Sequence, residues 1–194
     1  MDSTRRNFIK KTSLGTIGLT SSSSNFFIGK NILGANDRIN CAVVGVRSRG
    51  KAHAAAINSQ NNSKIIFNCD VDDIILEDHN KWCKKNIGYV PKIEKDFRKL
   101  IENKNLDAVF IATPEHWHAH MTIMASQAGK HVYIEKPCSH NLYENELLGV
   151  AQKKYGTKIQ MGNQQRSAIT SILAIDEIRN GIIGDVYKLS LIHI

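Results

Sequence analysis

The sequence lacks paired cysteines. Cys41, Cys69, Cys83 and Cys138 form no C-x-x-C, and their spacing fits neither a zinc ribbon nor a small disulfide scaffold. Cys41 and Cys69 instead fall in apolar, strand-like runs, where a free thiol behaves as a small hydrophobe, so four buried thiols are expected. No apolar run approaches the roughly 18 residues needed to span a bilayer, which excludes a stable helical membrane anchor. A basic face interleaved with aromatics is also missing, which argues against nucleic acid as a partner. Internal repeats are absent. What remains, 42% hydrophobic and 23% charged residues over 194 positions, is the make-up of an ordinary globular chain able to bury a core.

The formal charge of +8 is unevenly spread. Residues 1–35 hold Arg5, Arg6, Lys10, Lys11 and Lys30 against Asp2 alone, so half of the excess sits in that segment. Thr4-Arg5-Arg6-Asn7-Phe8-Ile9-Lys10, followed by the mild apolar stretch Leu14–Leu19 and the serines Ser21–Ser24, resembles a twin-arginine export signal. That reading places the mature start near Ala35-Asn36 and the protein in the periplasm or outside the cell. The twin-arginine route carries proteins already folded, often with a cofactor loaded. Cytoplasmic folding also suits cysteines that stay reduced.

From Ile39 onward, short β-rich runs alternate with stretches of helical period. Strands are expected at Ile39–Val46, Lys64–Cys69, Ala108–Ala112, His131–Glu135 and Lys158–Met161. Helices are expected at Gly50–Ile57, Asp73–Lys85, Glu94–Asn103, His116–Gln127, Asn141–Tyr155 and Ala168–Arg179. This alternation implies an α/β fold, a Rossmann-like doubly wound parallel sheet, and the continuous apolar strands imply helices on both faces. Val186–Ile194 reads as the first strand of a further α/β domain that would carry the substrate. The expected division is therefore a signal over residues 1–35, a nucleotide domain over 36–165, and the start of a substrate domain over 166–194.

The turn after the first strand is Gly45-Val46-Arg47-Ser48-Arg49-Gly50. A dinucleotide loop needs a glycine for the tight turn and another for close helix packing, and Gly45 and Gly50 stand at those positions. Arg47 occupies the place of the middle glycine, so its side chain either points away from the phosphates or contacts them. Arg47 and Arg49 would both suit a pyrophosphate, as would the amides of the helix that follows. Asp70, twenty residues beyond Gly50 at the end of the second strand, is placed to accept hydrogen bonds from an adenosine ribose. Its charge would repel a 2′-phosphate and favour NAD over NADP.

Three further segments resemble the Gfo/Idh/MocA oxidoreductases, in the family's order and spacing: Ala112-Thr113-Pro114-Glu115-His116-Trp117-His118, Glu135-Lys136-Pro137, and Gln160-Met161-Gly162-Asn163-Gln164-Gln165-Arg166. The Trp-His form of the first and the whole of the third resemble the exported, twin-arginine branch. The resemblance implies hydride transfer between a secondary alcohol of a sugar or polyol and NAD, in a protein that is a homo-oligomer at full length. It implies that Thr113 and Pro114 form a rigid turn beside the cofactor, with Glu115, His116, Trp117 and His118 near the nicotinamide-side ribose. It makes Lys136 the catalytic residue, whose ammonium would polarise the reacting oxygen and join a proton relay. Glu135 is then expected to contact the cofactor, and Pro137 to fix the turn, through a cis bond if the chain needs one. Asn163 would face the nicotinamide ribose, and Gln164 and Arg166 would reach substrate hydroxyls.

Other readings compete at the same positions. His116, His118 and His120 raise zinc, but without a carboxylate or cysteine ligand the expectation is no metal. Some relatives, such as NAD-dependent α-N-acetylgalactosaminidases, cleave glycosides by transient oxidation. A non-catalytic nucleotide-binding fragment is the rival of another class. A chain ending at Ile194 is expected to bind cofactor without turning over substrate, because orientation and a proton-relay partner would be missing.

Overall fold

The computed structural model describes residues 38–189. The expected export signal and Ser190–Ile194 lie outside the described residues. The strands are β1 (Ile39–Val44), β2 (Ser63–Cys69), β3 (Lys92–Glu94), β4 (Ala108–Ile111), β5 (His131–Glu135) and β6 (Ile159–Gly162). The helices are α1 (Ser48–Asn58), α2 (Asp73–Asn86), α3 (Phe97–Ile101), α4 (His118–Gln127), α5 (Leu142–Tyr155) and α6 (Ile169–Arg179). No described helix is long and apolar enough to cross a membrane.

The strands form one six-stranded sheet in the order β3-β2-β1-β4-β5-β6, every pairing parallel. The order reverses between β1 and β4, which places a crevice at the carboxyl ends of those two strands. β1 shows why both faces must be covered. Cys41 and Val43 point into one apolar cluster with Ala54 and Ile57 of α1 and Leu76 of α2. Ala42 and Val44 point into the other, with Phe97, Leu100, Ile101 and Ala125 from α3 and α4. The side-chain period of two thus divides one strand between two cores, the pattern of a parallel sheet clothed by helices.

Several boundaries differ from expectation. β1 stops at Val44 because Gly45, at φ +82°, turns the chain out of the sheet. The stretch expected as one helix from Glu94 is split. Lys92–Glu94 pairs with β2 as an edge strand, and Asp96 then caps the short α3. The helix expected from His116 begins at His118, after a 3-10 turn over Glu115–Trp117. Among the described residues Val186–Leu189 forms no strand, since no neighbouring strand is present to pair with it. Of the four cysteines, Cys41, Cys69 and Cys83 are buried, whereas Cys138 is only partly covered and lies in the turn beyond Pro137.

Candidate nucleotide and substrate site

The Gly45–Gly50 turn leaves the carboxyl end of β1 and enters α1. A Cβ on Gly45 would lie 2.6 Å from the Ala112 carbonyl carbon and oxygen, and one on Gly50 would collide with the Gly45 carbonyl oxygen. The first glycine is therefore demanded by its positive φ and by the close passage of the chain leaving β4, the last by helix-on-turn packing. Helices α2, α3 and α5 each carry a side-chain cap, from Asp72, Asp96 and Asn141. The N-terminus of α1, like those of α4 and α6, has none, and no acid lies in its first turn. An uncapped helix start with positive polarity, opening at the switch point of the sheet, fits a pyrophosphate.

Asp70 follows the last residue of β2, beside this loop. Its Oδ2 accepts from the Val46 amide at 3.0 Å and its Oδ1 from the Asp72 amide at 3.2 Å. The carboxylate therefore ties the phosphate loop to the β2–α2 turn, and each oxygen keeps a second lone pair for a ribose hydroxyl. Arg47 pairs with Asp72 at 3.1 Å.

The three sequence motifs converge at the carboxyl ends of β4, β5 and β6. Register sets this directly, because Val44 lies beside Ile111, Ile111 beside Ile134, and Glu135 beside Gly162. His118 joins the first two motifs. It is buried, with Nδ1 2.6 Å from the Pro137 carbonyl and Nε2 2.8 Å from the Thr113 carbonyl. The ring, expected near the nicotinamide-side ribose, packs between the two turns, and its one N–H donates to one of the two carbonyls. The Lys136–Pro137 bond is cis.

Glu135 is buried rather than open to the crevice, and it holds the phosphate-loop side of the site. Arg49 donates to its Oε1 from Nη2 at 2.6 Å and from Nε at 3.2 Å. His53 Nε2 stands 3.1 Å from the same oxygen, out of line for a full hydrogen bond. Gln164, with its amide nitrogen donating to the Gly162 carbonyl at 2.7 Å, turns its oxygen onto the Arg49 guanidinium. So Arg49 and Glu135, expected at the cofactor, and Gln164, expected at the substrate, meet each other. Their pairing welds α1 to the ends of β5 and β6.

These contacts set the charge states. Burial works against the Glu135 carboxylate, but the Arg49 hydrogen bonds and charge, with His53 and the Lys136 amide, hold its pKa below the usual range. Burial pushes His53 down, opposed in part by Glu135. Its ring packs against Tyr133 and Phe110, which stack on each other, at centroid distances of 5.2 and 5.8 Å.

The remaining expected residues line the mouth. Lys136 is exposed at the end of β5, with no carboxylate partner among the described residues. Pro114, Glu115, His116 and Trp117 are exposed, and Glu115 lies 3.6 Å from His140. Thr113 and Asn163 are half-buried at the ends of β4 and β6, and Arg166 is exposed in the 3-10 turn over Gln164–Ser167. Among the described residues no three His, Cys, Asp or Glu side chains gather as a metal site.

Residues 39–163 match the Gfo/Idh/MocA oxidoreductase family, NAD-binding Rossmann fold. The chain belongs to that family. An uncharacterized oxidoreductase, YrbE of Bacillus subtilis, is 30% identical over 151 residues, covering 77% of this chain and 42% of the relative. A glycosyl hydrolase family 109 protein of a Shewanella species (strain ANA-3) is 25% identical over 167 residues, covering 81% of this chain and 36% of the relative. Among solved structures, myo-inositol 2-dehydrogenase from Lactobacillus plantarum superposes with a TM-score of 0.66 at 28% identity, over 77% of this chain and 43% of that one. The chain thus spans less than half the length of the relatives it matches.

Within this Gfo/Idh/MocA domain, two functional neighbours escaped the sequence reading. His53 falls with Gly50, Ala54 and Ile57 on one helical face, and those are the buried residues of α1, so its spacing signals a core histidine. Tyr133 is the inward neighbour of Glu135, two residues earlier on β5. It is also why Gly162 carries no side chain, since a Cβ there would lie 2.7 Å from the Tyr133 hydroxyl. No local sequence signal announces that contact.

Proposed function

We propose that this chain is the nucleotide-binding part of an exported, NAD-dependent oxidoreductase acting on a secondary alcohol of a sugar or polyol. The observation that carries the reading is the convergence of an uncapped helix start with an unpaired lysine at the mouth of one parallel-sheet crevice. NAD, when bound, would supply the hydride acceptor. The chain's own residues bind and orient: the α1 amides and the Gly45 turn receive the pyrophosphate, and Asp70 receives the adenosine ribose and disfavours a 2′-phosphate. Thr113, Pro114 and Asn163 shape the far end, near the nicotinamide ribose.

Lys136 is placed for the proton work. An ammonium beside a carbinol oxygen stabilises negative charge there and can hold or pass its proton. Gln164 and Arg166 extend the polar mouth toward substrate hydroxyls. The name of the inositol dehydrogenase supports a polyol substrate. The glycosyl hydrolase relative supports a second reading, in which a glycoside is oxidised transiently and cleaved; released sugar without net NADH would mark it. The N-terminal Thr4–Lys10 pattern supports export, and Arg5→Lys with Arg6→Lys is expected to trap the precursor in the cytoplasm, as read by cell fractionation.

The test of the nucleotide reading is titration of the full chain with NADH, followed by tryptophan fluorescence, with Trp117→Phe to separate Trp117 from Trp82. Saturable quenching through Trp117 is expected, weakened roughly tenfold for NADH but not for NADPH by Asp70→Arg. A folded chain that binds neither nucleotide would sink the proposal.

A further inference from the structure

Three acids of α2 and of the turn before it are paired with cations, two of which come from the phosphate loop and α1. Arg47 meets Asp72 at 3.1 Å, Lys51 meets Asp78 at 2.6 Å, and Lys95 meets Asp73 at 2.8 Å. Asp70 has no cation and faces the loop amides instead. The residue after Asp70 is Val71, and the first turn of α2 carries Ile74; both are exposed, at 81% and 78%. Where a 2′-phosphate would lie, between the end of β2 and the loop, the chain therefore presents two carboxylates, two apolar side chains and a single guanidinium, which is already engaged.

Arg47 is the unusual member. It stands at a position where the dinucleotide pattern has glycine, its side chain is 70% exposed, and its direction is set by Asp72 rather than by packing. A planar guanidinium at this place is the group that accepts a 2′-phosphate when one is to be bound. Asp72 holds it in reserve. The same carboxylate caps α2, its Oδ1 accepting from the Ile74 and Ile75 amides at 3.0 and 3.2 Å, so the acid is itself fixed in place. Resting on the nucleotide reading of the site, we infer that Asp72 is a specificity-determining residue: by neutralising and turning Arg47 it keeps the adenosine pocket selective for a ribose with a free 2′-hydroxyl.

This separates two ways of refusing a 2′-phosphate. Asp70 repels it directly, whereas Asp72 acts through Arg47. Removing the second acid should convert Arg47 from a committed partner into a phosphate ligand, and the gain should need Arg47.

The experiment is a set of dissociation constants for NADH and NADPH on the full chain, read by tryptophan fluorescence. Asp72→Asn keeps a side-chain oxygen for the α2 cap, and a thermal melt confirms that it folds. It is expected to tighten NADPH binding roughly tenfold while changing NADH by less than about twofold. Adding Arg47→Gln to that variant should abolish the gain. Asp73→Asn removes an equal charge one residue away and leaves the Arg47–Asp72 pair intact, so the NADPH-to-NADH ratio should stay at the wild-type value. An unchanged ratio in Asp72→Asn, a gain that survives without Arg47, or an equal shift from Asp73→Asn each overturns the inference. A folded wild type that binds neither nucleotide overturns the nucleotide reading instead.

Discussion

One buried ring, His79, should make this fold weaker in acid. His79 lies on α2 with no exposed surface, stacked on Trp82 at a centroid distance of 5.7 Å, and its ring nitrogens make no well-aligned hydrogen bond, the Val46 backbone being the polar group that faces them. Burial above all, and then the Lys51 charge, lower its pKa from 6.5 to about 4. In the unfolded chain the ring takes up a proton near pH 6.5, but in the folded one it resists until about pH 4. Above pH 6.5 both states are neutral and the histidine contributes no pH dependence. Below it the unfolded state binds the extra proton, so stability falls with pH until the folded ring also titrates. Between pH 7.5 and 4.5 that linkage amounts to about 2.5 kcal/mol. Other groups titrate over the same range, so the measurement is a difference: urea denaturation of wild type and His79→Leu at both pH values. Leucine fills similar space and does not titrate. The variant should gain on wild type by about 2.5 kcal/mol at the lower pH. A wild-type-to-variant difference that stays within about 0.5 kcal/mol across the range would refute the reasoning, and would mean that the ring finds a proton acceptor or water on folding.

Gly45→Ala is expected to cost about 2–3 kcal/mol and to abolish saturable NADH quenching, because a Cβ at φ +82° is strained and would press on the Ala112 carbonyl. Circular dichroism with the same titration checks both; retained affinity would show that the loop need not hold this shape. Arg49→Ala should strand the Glu135 carboxylate in its buried position, costing about 1–2 kcal/mol at pH 7, a figure reduced because the Arg49 side chain is 47% exposed. The paired carboxylate has a depressed pKa, so its contribution is present above the unfolded value and lost on acidification. The gap between wild type and Arg49→Ala should therefore narrow as the pH is lowered toward 4, and a gap independent of pH would exclude the ion pair as its source.

The alternation of strands and helices was legible because the central strands are apolar on both faces and the glycines fall at their ends. The edge was not. Lys92-Ile93-Glu94 has too little apolar surface to declare a strand, and its backbone pairs on one side only. The three motifs were placed correctly at strand ends, since their position along the chain is enough to bring them there. Their mutual contacts were not readable. That Glu135 binds Arg49, and that His118 packs between two carbonyls, depends on which side chains share a register across the sheet, and no spacing along the chain encodes it. The two buried histidines of α1 and α2 could have been found, because His53 and His79 each follow a buried residue at helical spacing.

The His118 brace has a consequence for how ligands would be felt. One imidazole is wedged between the turn after β4 and the turn that presents Lys136, so a shift of either turn disturbs its contact with the other. A molecule that displaced the Thr113 turn would press, through the ring, on the turn that carries the lysine. Free energy shared in this way is reciprocal: whatever a ligand at one turn gains from a ligand at the other, the second gains in equal measure from the first.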